Sequence, residues 1–382
     1  MGARMEKQGA TARGSEWAPG GKQTNLVATS ISDRDGDVAA AGPAYTLGAA
    51  DEDAVTALRI PRDRLTDATW DAFAARAGGS YQVQLSHLRA RGARNLGRGR
   101  THYLELVAKH DGGATKIGQC AVSQCGNSFV VNDGLLLLPE AQSLFAPAME
   151  SVLRTLGPGQ YEYGGLWNIE PPREELLGTI DGVTVSEARR FFVQGVDFSK
   201  WPSWERYWAK VSDSVRYESK YAPERVPGLR LVRYRGLAML KAIKAIVDLQ
   251  KASYARKGLG YNRLKHGIHY AYYIARCAPT LELVLAVADE GVLAAYYGSR
   301  IGANTYYIYG GQAAGSSGAN WYLLKEMTRA AFEAAPSSRF IMGYVDYAMH
   351  DESVGGGLLR ARRALRASDF ETSMVEFDYR SA

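Results

Sequence analysis

Cysteine is scarce: Cys120, Cys125 and Cys277 are the only three in 382 residues. The count is odd, there is no Cys-x-x-Cys pair, and the six histidines are scattered, so neither a disulfide framework nor a zinc site is expected. No stretch approaches the roughly 20 apolar residues that span a bilayer, and no continuous apolar run follows the N-terminus. Export and membrane insertion are therefore not expected, and a reducing cytoplasm is the compartment that fits. Gly2 follows Met1 as myristoylation requires, but Glu6 stands where Ser or Thr is needed. A Ser–His–Asp order and a cysteine nucleophile context are also missing, which excludes the usual routes of covalent catalysis. The charge excess is small, +6: enough for an anionic cofactor, too little to demand a nucleic acid.

What is present is ordinary for a globular chain, with 46% hydrophobic and 23% charged residues. The length suits two domains. Residues 1–55, rich in Gly, Ala, Ser and Thr, read as a flexible tail, residues 56–198 as a first module and 199–382 as a second. Structure is expected to begin near Ile60, with a helix capped at Thr66 or Asp67 that carries Trp70, Phe73 and Ala77. Past the basic segment Arg89 to Arg100 come strands at Tyr103–Val107 and Ile117–Ser123, joined by a turn at Asp111-Gly112-Gly113. Then follow Phe129-Val130-Val131, a helix opened by Pro139 and running to Leu156, and a strand Tyr161–Trp167. Ser203 caps a linker helix with Trp204, Tyr207, Trp208 and Val211 on one side.

After a strand Leu229–Tyr234, a helix ending near Gly258 and a second helical segment to Cys277, the same order returns. Strands lie at Leu281–Ala288, Val292–Ser299 and Thr305–Tyr309, a helix at Trp321–Ala335 and a strand at Phe340–Val345. The offset is about 176 to 179 residues, which indicates a duplicated module rather than a short-period solenoid.

Between the last strand of the second meander and its helix lies Tyr309-Gly310-Gly311-Gln312-Ala313-Ala314-Gly315-Ser316-Ser317-Gly318-Ala319-Asn320. Strand, glycine loop and helix start together make an anion site, because free amides and the helix dipole favour negative charge there. No Walker lysine follows the glycines, and the loop comes late in its module, unlike the first turn of a dinucleotide fold.

The spacing Gln312-x-x-Gly315-x-Ser317-Gly318 resembles the pyrophosphate loop of GNAT acyltransferases, with Ser317 at the last small position. The arrangement resembles the FemAB-like and cellulose-biosynthesis (CelD-like) branch of that superfamily from Trp201 to Tyr379. The first module matches only in its order of elements. This resemblance implies an α/β (α+β) fold of tandem GNAT-like modules, each a mixed, mostly antiparallel sheet flanked by helices. It also implies acyl transfer from acyl-CoA to an amine by direct attack, with no metal. Tyr309, Gly310, Gly311, Gln312, Gly315, Ser316, Ser317, Gly318, Ala319 and Asn320 would then hold the donor, and a strand amide between Thr305 and Tyr309 its carbonyl oxygen. The first module has Asn132-Asp133-Gly134-Leu135 in place of the loop and is expected to shape the acceptor side.

Titratable groups concentrate after the strand Phe340–Val345. Asp346 or His350 is the candidate base, and Tyr344 or Tyr347 the candidate acid. Arg360, Arg362 and Arg363, on a helix after Gly355-Gly356-Gly357, are candidate clamps for substrate phosphate or carboxylate; the family often has Lys where Arg362 stands. Three functions follow from the resemblance. The acceptor of an acyl-CoA enzyme would be a small amine, an amino sugar or nucleotide sugar of envelope or exopolysaccharide metabolism. An aminoacyl-tRNA-dependent transferase would use the basic clusters for RNA, and a non-catalytic scaffold in polysaccharide assembly would keep only the fold.

Overall fold

The computed structural model describes residues 55–94, 99–110, 113–256, 258, 260–316, 318–346 and 352–381. The expected tail up to residue 54, most of the turn at Asp111-Gly112, and the site candidates Ser317, Tyr347 and His350 lie outside the described residues.

The first half opens with β1 (Val55–Arg59), a strand five residues ahead of the expected start, followed by α1 (Asp67–Arg76) and α2 (Leu85–Arg94). The Thr66 hydroxyl accepts from the Thr69 amide and starts α1. The basic segment Arg89 to Arg100 includes the end of α2 and the first residue of β2 (Arg100–His110). There follow β3 (Gly113–Cys125), β4 (Ser128–Asn132), a short β5 (Leu136–Leu137), α3 (Phe145–Leu156), β6 (Gly159–Gly164), α4 (Glu174–Leu177) and β7 (Val183–Asp197). Pro139 opens a 3-10 turn, and the α-helix proper begins only at Phe145.

The expected linker helix is two helices, α5 (Trp204–Trp208), capped by Ser203, and α6 (Asp213–Arg225). The second half is β8 (Arg230–Arg235), α7 (Ile243–Ala255), α8 (Arg263–Cys277), β9 (Leu281–Ala288), β10 (Gly291–Ile301), β11 (Asn304–Gln312), α9 (Ala319–Ala334), β12 (Arg339–Asp346), α10 (Glu352–Ala364) and β13 (Ser368–Tyr379).

All the described strands join one sheet in the order β1-β2-β3-β4-β6-β13-β7-β12-β11-β10-β9-β8, with β5 beside β3. The order reads as a palindrome. Each half is an antiparallel meander whose fourth strand pairs in parallel with a fifth: Phe129 with Tyr161 in one, Thr305 with Phe340 in the other. The last strands are exchanged, since β7 of the first half lies along β12 and β13 of the second lies along β6. This is the expected α/β fold of two GNAT-like modules, fused through a shared β7–β13 ladder.

The cores follow from this plan. In the first half, Leu104, Leu106, Val122 and Phe129 of the sheet pack with Phe145, Met149 and Val152 of α3. In the second half, α9 with α5 and α6 covers one face of the sheet, and α7 with α8 covers the other.

Candidate functional site

The parallel pair at the centre of each half behaves differently. In the first half β4 and β6 stay paired through Asn132 and Gly164, over five successive positions. In the second, β11 and β12 pair only at Thr305–Phe340 and Tyr306–Ile341 and then part. Beyond Tyr306 the two strands border an opening.

A bulge shapes the β11 wall of that opening. Tyr309 is opposite Tyr297 and Tyr307 opposite Gly298, so Ile308 has no partner on β10. Tyr307 stacks on Tyr296 (5.3 Å, 7°), which faces α9, whereas Tyr309 stacks on Tyr297 (6.4 Å, 25°), which faces α7 and α8. Residues two apart in a regular strand would share a face; the extra residue puts them on opposite ones. Ile308 thus has no residue opposite it on either neighbouring strand among the described residues, next to the opening, where a strand amide was expected to meet the donor carbonyl.

The glycine loop follows directly. Gly310 lies under the Tyr307 hydroxyl, which occupies the place a Cβ would take, and Gly311 lies against the α7 backbone at Leu249. These two glycines serve close packing. Gly315 has positive φ and open space around it, the setting expected of an anion cradle. Gly318, at φ +85°, is the N-cap of α9 and has no side-chain cap. Opposite Gly318 stands Glu218 of α6, its carbonyl oxygen 2.6 Å and its Oε2 3.0 Å from the position of a Cβ. The Glu218 carboxylate also pairs with Arg225 at 2.9 Å. The helix N-terminus is therefore already faced by one negative group, while Arg256 donates to the Gln312 carbonyl on the other side of the loop.

On the β12 wall, Tyr344 is 40% exposed and meets Phe191 edge to face. Asp346 shares that strand face, and its two oxygens accept from Arg189 of β7, at 2.5 and 2.6 Å from Nη2. The candidate base is therefore held in a two-point ion pair.

The arginines of α10 do not converge. Arg360 is exposed. Arg362 is buried, and its guanidinium donates to the carbonyls of Met342, Gly343 and Tyr344 and to the Gln194 side chain. Burial pulls its pKa down to about 10. Arg362, expected to clamp a substrate, is a strut of β12. Gly343, at φ +105°, lets that guanidinium approach to 2.9 Å of a would-be Cβ.

Behind the opening lies a buried carboxylate in the segment Asn132-Asp133-Gly134-Leu135, which was expected to shape the acceptor side. Asp133, at φ 63°, is 3% exposed, with Ser80 beside its carboxylate. Burial raises its pKa, against the pull of Ser80 and Arg91. Around it stand Tyr81, Trp167 and Tyr306, whose rings meet at 5.3 to 6.2 Å. Tyr306 is the last β11 residue still paired with β12, so this carboxylate sits just behind the vertex of the opening. The available signal was the Asn-Asp-Gly sequence at the end of a strand, a setting for left-handed backbone.

No protein-family model and no curated protein matches the sequence. Among solved structures, the chain is similar to the crystal structure of FemX, at 12% identity and a TM-score of 0.61, covering 83% of this chain and 96% of that one. It is also similar to L-PGS from Bacillus licheniformis (13%, TM-score 0.49, 82% and 92% covered) and to a tandem GNAT protein from the clavulanic acid biosynthesis pathway (11%, 0.42, 85% and 98%). The likeness to FemX is one of fold, over most of both chains. Among the described residues no helix is long and apolar enough to cross a membrane.

Proposed function

We propose that the protein is an N-acyltransferase whose reaction takes place in the opening between β11 and β12. The observation that carries this reading is the divergence of those strands beside a bulge at Ile308, in one half of the molecule and not the other. A parted parallel pair admits the carbonyl end of an activated acyl donor between two strands. The bulge at Ile308 brings strand amides to the edge of the opening, where they would donate to the oxygen that becomes negative as the amine attacks. The amine nitrogen forms the new C–N bond, the bond to the donor's leaving group breaks, and the ammonium proton passes to a base. No acyl-enzyme is formed. Tyr344, exposed on the β12 wall, suits proton return to the leaving group. Asp346 acts as base only when Arg189 releases one of its oxygens; Tyr347 and His350 remain candidates from the sequence.

For the donor, acyl-CoA is supported by Gly315 and the uncapped start of α9, which favour a pyrophosphate. The acceptor would be a small amine such as an amino sugar or nucleotide sugar of polysaccharide metabolism, in keeping with the CelD-like resemblance. One observation favours the second donor, an aminoacyl-tRNA. Glu218 holds a carboxylate where the CoA pyrophosphate would bind, and like charges repel there.

Calorimetry with coenzyme A, on the native chain and on Glu218→Gln, separates the two. Acyl-CoA dependence predicts saturable binding that tightens in the variant. Absence of CoA binding in both proteins, with amine acylation from a charged tRNA, moves the assignment to the second donor. Failure of both donors to support acylation of any amine sinks the enzymatic reading.

A further inference from the structure

The basic excess of this chain is not spread over its surface. From Gly236 to Thr280 there are eight Lys or Arg and a single acid, Asp248, so this stretch alone exceeds the net +6 of the whole chain. The one acid is engaged by Lys244 and Arg263. The same stretch carries the two most exposed large apolar side chains of the described residues, Leu264 at 65% and Leu237 at 61%, together with Ile268 and Leu240.

These four residues lie on two contacting elements. Leu264 and Ile268 are one turn apart on α8 and share a face. Leu237 and Leu240 are three apart in the 3-10 turn Gly236–Ala242, where such positions eclipse. The opposite side of α8 is already buried through His266, Tyr270, Ile274 and Cys277. The helix is thus apolar on its inner face and again on its outer one, and an outer apolar face ringed by cations calls for a partner.

We infer that this face docks the protein on an anionic lipid surface, with Leu237, Leu240, Leu264 and Ile268 entering the headgroup–acyl boundary and Lys241 and its neighbours pairing with lipid phosphates. The aliphatic side chains decide between partners. A nucleic acid uses cations and stacking aromatics and gains nothing from exposed leucines. A second copy of the chain would set two strongly cationic faces against each other. An acyl boundary beneath phosphates matches both features.

Docking there orients the reaction opening. The inner side of this layer holds the glycine loop, through Leu249 against Gly311, Arg256 on the Gln312 carbonyl, and Tyr270 against Tyr309 at 5.8 Å.

Flotation of the full chain with vesicles tests the inference. Binding is expected to vesicles of phosphatidylcholine mixed with phosphatidylglycerol, not to phosphatidylcholine alone, and to weaken with salt. Lys241→Glu should lower the partition by about fivefold or more. The double variant Leu264→Ser/Ile268→Ser should lower it by about tenfold or more while leaving the far-ultraviolet circular dichroism unchanged. No binding to the anionic vesicles overturns the inference. So does binding that the double variant leaves intact, which means attraction by charge alone. A fluorescent RNA that displaces the chain from vesicles, and whose affinity is insensitive to the leucines, assigns the face to nucleic acid. Dimerisation of the native chain that the double variant abolishes assigns it to a second copy.

Discussion

His87 shows how the seam between the halves couples to pH. The ring lies in α2, 5% exposed, edge to face with Tyr81 at 5.2 Å, and its Nε2 has no hydrogen-bond partner. Burial first, and Arg91 second, push its pKa down to about 3. A histidine lowered in this way is neutral in the folded chain and protonated in the unfolded one between pH 3 and its ordinary value of about 6.5. Its contribution is therefore fully present above pH 6.5 and lost as the pH falls, by about 2 kcal/mol at pH 5. His87→Phe keeps the aromatic contact and removes the titration. The fall of Tm between pH 7 and pH 5 should become shallower in the variant, with His266, pushed down to about 4, maintaining part of the slope. An identical slope in both proteins would refute the assignment.

At the scale of elements, the β12 wall owes its shape to a side chain from α10. The β12–β7 register slips between Ile341 and Gly343, and Arg362 collects the carbonyls of Met342, Gly343 and Tyr344 that face it there. Replacing it by Gln leaves at least two buried carbonyls without donors, a cost of about 3 kcal/mol. Arg362→Gln should therefore lower the urea midpoint with an unchanged m value. A variant with unchanged stability but weaker donor binding would return Arg362 to the role of a substrate clamp. The sequence showed this helix and its arginines but not their direction, because basic spacing is the same for a phosphate clamp and a backbone strut. Local chemistry was more legible. The caps at Thr66 and Ser203, the strand Leu281–Ala288 and the strand–loop–helix at Gly310 to Asn320 all stand close to where residue patterns put them. Strands β7 and β13 were not visible: in β7, Glu187, Arg189 and Arg190 are charged and the run 186–190 is exposed throughout, without the alternation of a half-buried strand, and the partners lie more than a hundred residues away. Glu218 opposite Gly318 is invisible for the same reason.

For the whole molecule, the exchange of last strands sets how it folds. β13 pairs along its length with β7, from Ser368–Gly195 to Tyr379–Val183, and also with β6 of the first half. β7 in turn is the only described strand that joins β12 to the rest of the sheet on that side. Val375, Phe377 and Tyr379 of β13 sit in the first half's core among Tyr161, Leu177 and Ile180. Cutting the chain before Ser368 removes these side chains from the first core and exposes the edges of β6 and β7 at once, and an unpaired central edge invites aggregation. The contacts are also extreme in sequence separation, so β13 is available only after residues 55–367 have been made, and its closure is a late, slow event. A chain ending at Ala367 should therefore fail as a whole, losing the near-ultraviolet signal of both halves together rather than leaving the first intact. Residues 56–198 and 199–382 expressed separately should each be insoluble but recover a common fold when co-expressed. If the first half alone gives a cooperative unfolding transition, β13 is a peripheral strap and the two modules are independent units.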